Sequence, residues 1–289
     1  MKISVSSYSF SQYLNTVIQS QIGVIKLAKN MGFDAIEFTD LCPTEGVSEE
    51  SYAKLIREEC DAVSLPVSSY TVGADFINAD NLQDEIDRVC RKVDIANILG
   101  AKIMRHDATT GFKDARSKTM GFDNALPVLA EGCRAVTQYA KRYGIETCVE
   151  NHGFFSQESL RVEKLVNAVA DDNFGLLIDI GNFACADEPS PLAVGRLAPY
   201  AKYVHAKDFH IKSGNGMNPG RGFFRSRGGN YLRGAIIGHG DIPVYQCLGI
   251  LKRSGYDGYV SVEFEGMEDA VLVGIPTGLE NLRKMIETL

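Results

Sequence analysis

The 289-residue sequence lacks several features that would mark it for particular jobs. No two of its cysteines are spaced C-x-x-C; there are seven, an odd number, scattered from Cys42 to Cys247. That excludes a disulfide framework and a zinc ribbon and leaves mostly buried, reduced thiols. There is no basic excess either: 30 Lys and Arg stand against 37 Asp and Glu, a net charge of -7, which argues against a nonspecific nucleic-acid binder. No apolar run approaches the roughly 20 residues a membrane helix requires. The first eight residues alternate apolar and polar and lack the apolar centre of a signal peptide, so the expected compartment is the cytoplasm. The Gly-x-Gly-x-x-Gly turn of a dinucleotide binder is missing after the first strand-like segment.

What is present is an alternation. Residues 3–8, 33–38, 66–72, 101–104, 145–150, 174–179, 202–206 and 259–264 read as strands, and segments at 17–31, 48–63, 82–99, 122–143, 157–170, 189–199, 243–254 and 278–289 read as helices. Gly32, Gly100 and Gly144 follow three of these helices, where a left-handed cap suits glycine. Ser48 opens another, with Glu49 and Glu50 in the turn that favours acidic residues. Eight strands each followed by a helix imply parallel strands and right-handed crossovers. At this length the expected fold is a single α/β domain, a (β/α)8 TIM barrel over residues 1–289, ahead of an open doubly wound sheet.

Four of the apolar runs end in a residue that can bind a metal. These are Glu150 in Thr147-Cys148-Val149-Glu150-Asn151-His152, Asp179 in Leu177-Ile178-Asp179-Ile180-Gly181-Asn182, His205 in Tyr203-Val204-His205-Ala206-Lys207, and Glu263 in Val260-Ser261-Val262-Glu263-Phe264-Glu265. Barrel active sites form at the C-terminal ends of the strands. Any one of these residues alone is ordinary, a helix cap, an ion-pair partner or a packed imidazole. Together on strands five to eight they would repel and desolvate one another without a cation. Three carboxylates and one imidazole suit one divalent ion, Mn2+ by preference, with Mg2+, Co2+ or Zn2+ as alternatives.

Strand alternation then directs His152, Lys207 and Glu265 to the face that carries Glu150, His205 and Glu263. His152 and Lys207 are expected to touch substrate, with Asn182 in the turn after strand six, Glu37 at the end of strand two and His106 preferred within Arg105-His106-Asp107. Tyr70 ends strand three, and Phe10, Phe154 and Phe183 offer an apolar wall or plain packing. Cys148 and Cys185 flank two of the ligand candidates. Residues 210–240 form a glycine-rich insertion carrying Lys212, Arg221, Arg225, Arg227 and Arg233 with no acidic residue. So long a loop is expected to be a lid over the mouth, a subunit contact or a mobile surface segment. Its arginines, Arg227 and Arg233 among them, suggest an anionic substrate group.

The strings Glu150-Asn151-His152-Gly153, Asp179-Ile180-Gly181-Asn182, His205-Ala206-Lys207-Asp208, Gly238-His239-Gly240-Asp241-Ile242 and Gly255-Tyr256-Asp257-Gly258, with Gly32-Phe33-Asp34-Ala35-Ile36-Glu37, resemble the xylose isomerase-like TIM-barrel superfamily. That superfamily holds sugar isomerases and epimerases, dehydratases such as inosose dehydratase, and endonuclease IV. The resemblance implies a metal site of Glu150, Asp179, His205 and Glu263. It also implies an isomerase or epimerase of a sugar, sugar phosphate or sugar acid, in which Glu150 and Glu263 move protons and the ion acts as a Lewis acid on an enediolate. Two departures stand against a free-ketohexose epimerase: Asn182 stands where tagatose epimerases present a histidine, and the insertion after strand seven is long. A dehydratase using the same residues is the main alternative, and a sugar-binding barrel without turnover another. An endonuclease IV-like site needs more histidines than the five in this chain supply. The expected partner is a small carbohydrate, with no nucleic acid and no membrane, and homo-oligomerisation is left open.

Overall fold

A computed structural model describes residues 1–14 and 16–289. Eight strands close a parallel barrel: β1 (Lys2–Ser6), β2 (Ala35–Thr39), β3 (Val67–Val72), β4 (Ile103–His106), β5 (Glu146–Glu150), β6 (Phe174–Asp179), β7 (Ala201–Ala206) and β11 (Tyr259–Val262), with β11 pairing back onto β1. Around it lie α1 (Ile22–Met31), α2 (Glu49–Ala62), α3 (Leu82–Leu99), α4 (Phe122–Ala140), α5 (Ser159–Val169), α6 (Ser190–Leu197), α7 (Val244–Arg253) and α8 (Ile275–Glu287). The single (β/α)8 domain expected from the alternation is therefore the fold. Among the described residues no helix is long and apolar enough to cross a membrane.

The local signals act as their chemistry requires. Ser48 accepts a hydrogen bond from the Ser51 amide at the start of α2, and Gly32 and Gly100 take left-handed conformations after α1 and α3. One boundary matters for function. The fourth strand, expected at 101–104, lies at Ile103–His106. The reason is the cap of α3: Gly100 donates to the Asn97 carbonyl and Ala101 to that of Ala96, so Ala101 is spent closing the helix. The last helix also begins earlier than expected, after a π-helical turn over Ala270–Gly274 that Asp269 caps.

Inside the barrel, residues two positions before the candidate ligands form a plug beneath them. Cys148, Leu177 and Tyr203 pack together there. The Tyr203 hydroxyl is held at 2.7 Å by both Ser4 and Ser68 from across the barrel. A buried tyrosine hydroxyl needs such partners, and small serines on the facing strands leave room for the ring. Burial pushes the Cys148 thiol far above its ordinary range, and that of Cys185 up to about 12. Both are thus inert packing groups.

The insertion is a small sheet of its own. β8 (Asp208–Lys212), β9 (Phe224–Arg225) and β10 (Tyr231–Ala235) pair antiparallel in the order β8-β10-β9. It is anchored by Asp208, whose carboxylate accepts from the amides of Phe209, Gly238, Gly240 and Ile242. It also docks on the segment after β11 through a bridge between Gly234 and Gly266. Glycine is required at that contact, because a Cβ on Gly234 would lie 2.2 Å from the Glu265 carbonyl oxygen.

Candidate metal centre and barrel mouth

Strand alternation brings Glu150, Asp179, His205 and Glu263 to one place, with a ligand atom from each within 4.8 Å of all the others. Glu150, Asp179 and His205 are buried and the Glu263 side chain is only 11% exposed. The supports differ strand by strand. Asp179 Oδ1 accepts from the amides of Gly181 and Asn182 at 2.8 and 2.9 Å, so the turn after β6 fixes one oxygen of the carboxylate. Asn151 clasps β6 from β5: its Nδ2 donates to the Asp179 carbonyl and its Oδ1 accepts from the Asp179 amide, both at 2.9 Å.

His205 Nε2 lies 2.9 and 3.0 Å from the two carboxylate oxygens of Glu37, which also accepts from Thr71 at 2.6 Å. A carboxylate behind one ring nitrogen aims the other. His205 Nδ1 accordingly faces the cluster and makes no hydrogen bond, with Glu263 Oε2 at 3.4 Å and Asp179 Oδ2 at 3.8 Å. Asp179 Oδ2 is also buried, and its close polar contact is the ion pair with the Lys207 ammonium at 3.1 Å. A buried imidazole nitrogen without a hydrogen bond, turned toward carboxylate oxygens that already draw one cation, is what a bound metal ion would satisfy. The donor set of three carboxylates and one imidazole fits a divalent ion.

Two buried cations balance these acids. The Lys207 ammonium lies 2.6 Å from Glu263, 3.1 Å from both Asp179 and Glu265, and 3.2 Å from the side-chain Oδ1 of Asn182. Arg105 lies 2.8 Å from Glu150 and 2.7 Å from Asp107. The result is asymmetric. Burial pushes the Glu150 carboxyl up, and Arg105 only partly offsets it. Burial acts on Glu263 in the same sense, but Lys207 and His205 outweigh it and hold that carboxyl well below its ordinary value. Burial alone would lower Lys207, yet Asp179 and Glu263 keep it firmly protonated.

Above the cluster is a pocket of about 200 Å3 lined by Tyr8, Thr39, Thr71, Arg105, Glu150, His152, Lys207, Glu263 and Glu265. His152 reaches it with nearly half its side chain exposed, and its Nδ1 lies 3.3 Å from Asp107 Oδ1. That contact raises the imidazole above its ordinary value, against the opposing effect of burial. Asn182 is buried rather than open to a ligand; it donates to Glu150 Oε1 at 2.8 Å and receives Lys207, bracketing the two.

Several expectations fail here. His106 is fully buried and faces away from the mouth, its ring 5.9 Å from Phe76 and 6.3 Å from Phe174. Ile103 packs on the inner plug, so alternation gives the next inward position to Arg105 instead. Glu37 is also fully buried and sits behind His205 rather than on the pocket wall. Arg233 does not line the mouth; its guanidinium lies over the Phe223 ring at 5.3 Å. Arg227 pairs with Glu158 at 2.8 Å, and Arg225 with the Tyr231 hydroxyl at 3.1 Å. Arg225, Arg227 and Arg233 thus engage local groups, and no residue of the insertion lines the mouth pocket. Phe10 and Phe183 are core residues, and Tyr70 donates to Glu49. Arg105 and Asp107 belong to the triplet in which His106 is preferred on sequence grounds, whereas Asn151 and Tyr8 are not among the expected contacts. Arg105 was recoverable from alternation once the strand was in register; the others carry no local signal.

The buried position of His106 has a measurable consequence. Burial lowers its imidazole from 6.5 to about 4, so between those values the unfolded chain binds a proton that the folded chain refuses. This stability is fully present above about pH 6.5 and is lost as pH falls toward 4. At about 1.4 kcal/mol per pH unit the loss is on the order of 3 kcal/mol. Urea unfolding of His106→Asn should show a correspondingly flatter dependence across that window. A slope equal to that of the unaltered protein would mean that the ring is not buried in the neutral form.

A family model described as xylose isomerase-like TIM barrel matches residues 25–287, and the chain belongs to that family. Over 229 residues it is 24% identical to an inosose dehydratase of Mesomycoplasma hyopneumoniae (strain 7448), in an alignment covering 74% of this chain and 73% of that protein. The solved structure of a D-tagatose 3-epimerase-like protein is 21% identical with a TM-score of 0.71, covering 100% of this chain and 98% of the other. That of the IOLI protein with a bound zinc atom is 17% identical with a TM-score of 0.72, covering 99% and 96%.

Proposed function

We infer that the protein is a divalent-metal-dependent sugar isomerase or epimerase that moves a proton at a carbon next to a carbonyl. The observation that carries this reading is the pair of carboxylates, Glu150 and Glu263, at the floor of a sugar-sized mouth, beside Asp179 and the Nδ1 of His205, which has no hydrogen bond. Glu150, Asp179, His205 and Glu263 would hold the ion, Mn2+ by preference, with Mg2+, Co2+ or Zn2+ as alternatives. When bound, the ion supplies Lewis acidity toward the substrate's carbonyl and adjacent hydroxyl oxygens.

The chain's own groups do the rest. One of Glu150 and Glu263 takes the proton and the other returns it. Return to the opposite face of the same carbon epimerises, and return to the neighbouring carbon isomerises. Arg105 keeps Glu150 oriented, and Lys207, which lines the same pocket, places positive charge where oxyanion character develops. Glu37 holds His205 with Nδ1 toward the cluster. The test is elemental analysis of the purified protein, followed by chelation and readdition of Mn2+. A divalent ion in every chain and activity that disappears and returns are expected; full activity after exhaustive chelation would end the metal reading.

A second reading is loss of water from the same carbanion-like species. It is favoured by His152, whose raised affinity for a proton equips it to protonate a departing hydroxyl, and by the inosose dehydratase relative. A product mass lower than the substrate's by one water decides for it, and an unchanged mass decides for the isomerase.

A further inference from the structure

A second pocket, of about 240 Å3, adjoins the mouth. It shares Tyr8 and Glu265 with the mouth pocket, so the two form one continuous surface. Their combined size enters the range of small-molecule sites, on the order of 300–1,000 Å3. Its far wall comes from the insertion: Gly222, Phe224 and Gly234 face Ser11 and Gly266. The insertion therefore lengthens the site beside the reacting centre.

The lining defines what would fit. Three of those residues are glycines, and backbone conformation or packing enforces two of them. Gly222 has φ 84°, which other residues rarely adopt, and a Cβ on Gly234 would meet the Glu265 backbone. The wall is thus largely bare backbone with amide and carbonyl groups. The hydroxyls of Tyr8 and Ser11 take part in none of the hydrogen bonds among the described residues and can turn to a ligand. Phe224 stands on Phe209 at 5.7 Å and keeps 38% of its surface exposed, a fixed aromatic platform. Among the described residues no lysine, arginine or histidine lines the pocket; Arg233 stands behind Gly222 with its guanidinium over the Phe223 ring, and Glu265, at the junction with the mouth, is paired with Lys207. Backbone groups, hydroxyls, one aromatic face and one carboxylate suit an uncharged polyhydroxylated ring and disfavour a phosphate or a carboxylate.

We propose that this pocket is a distal subsite for a neutral glycosyl group, so that the substrate class is a glycosylated carbonyl sugar and not a sugar phosphate or sugar acid. The proposal rests on the carbonyl-sugar reading given above. It replaces the anionic group that the arginines of the insertion suggest in the sequence with an uncharged one.

The test uses ketoses with a common head and different extensions. Isothermal titration of the Mn2+-loaded protein compares D-fructose with its phosphates at O1 and O6 and with its glucosyl derivatives at O3, O4, O5 and O6, which are turanose, maltulose, leucrose and isomaltulose. At least one glucosyl derivative is expected to bind about tenfold or more tightly than D-fructose and than either phosphate. Phe224→Ala is expected to remove that advantage. Equal binding of fructose and all four disaccharides, tighter binding of a phosphate, or an advantage that survives Phe224→Ala overturns the subsite. Hydrogen exchange in deuterated solvent, followed in the same samples, separates this from the reaction assignment. Tight disaccharide binding without exchange retains the subsite and sinks proton transfer. Exchange on fructose with no disaccharide advantage does the reverse.

Discussion

Glu150→Gln and Glu263→Gln, made separately, are each expected to slow exchange of the substrate's α-hydrogen with deuterated solvent by about 100- to 10,000-fold. Glutamine is close in shape to glutamate but cannot carry the proton at neutral pH. The surroundings of both positions tolerate the change. At position 150 an amide oxygen can still receive Arg105 or Asn182, which bond different oxygens of the carboxylate. At position 263 Lys207 retains Asp179 and Glu265. Thermal unfolding should therefore change far less than exchange does, and that contrast separates loss of a proton carrier from loss of the fold. Any ketose that exchanges with the unaltered protein serves as the probe. A variant that exchanges at the unaltered rate would remove its residue from the mechanism.

Lys207→Met is expected to cost the metal-free protein about 3–5 kcal/mol, the penalty of leaving buried charges without their partner. Stabilities of folded domains are commonly only about 5–15 kcal/mol, so the effect is a large fraction of the total. The cause is local: the ammonium lies within 3.1 Å of Asp179, Glu263 and Glu265, the first fully buried and the second nearly so. A divalent ion supplies the positive charge the variant lacks, so Mn2+ should raise its melting temperature more than that of the unaltered protein. Denaturant unfolding in chelator, then with Mn2+, reads both terms. A variant as stable as the parent in chelator, or one that gains no more from Mn2+, would show that Lys207 does not balance this cluster.

The sequence revealed the fold well, because barrels are periodic and periodicity survives without coordinates. Strand β6 and helix α3 fall where the pattern puts them. The four candidate ligands were legible for the same reason, each lying at or just beyond the C-terminal end of an apolar run. What failed was register and distance. The cap of α3 moved the start of β4, and the strand runs on through Arg105, inward like Ile103, to the outward His106. Glu37 reaches His205 across 168 positions of sequence, and nothing near either residue reports that meeting. The charge of the insertion's arginines is visible in the sequence while their neighbours are not: Glu158 and the Tyr231 hydroxyl engage Arg227 and Arg225, and Arg233 lies over the Phe223 ring.

The clasp of Asn151 on both backbone groups of Asp179 bears on how quickly and how selectively a cation is captured. Because one side chain ties the ends of two adjacent strands, Glu150 and Asp179 keep their separation whether or not anything lies between them. Little ordering entropy then remains to be lost on capture. A rigid gap discriminates by ionic radius, whereas a compliant one adapts to whichever ion is abundant. Loosening the clasp with Asn151→Ala would accordingly trade size selectivity among divalent ions for tolerance, a change in the ranking of metals and not merely in their affinity.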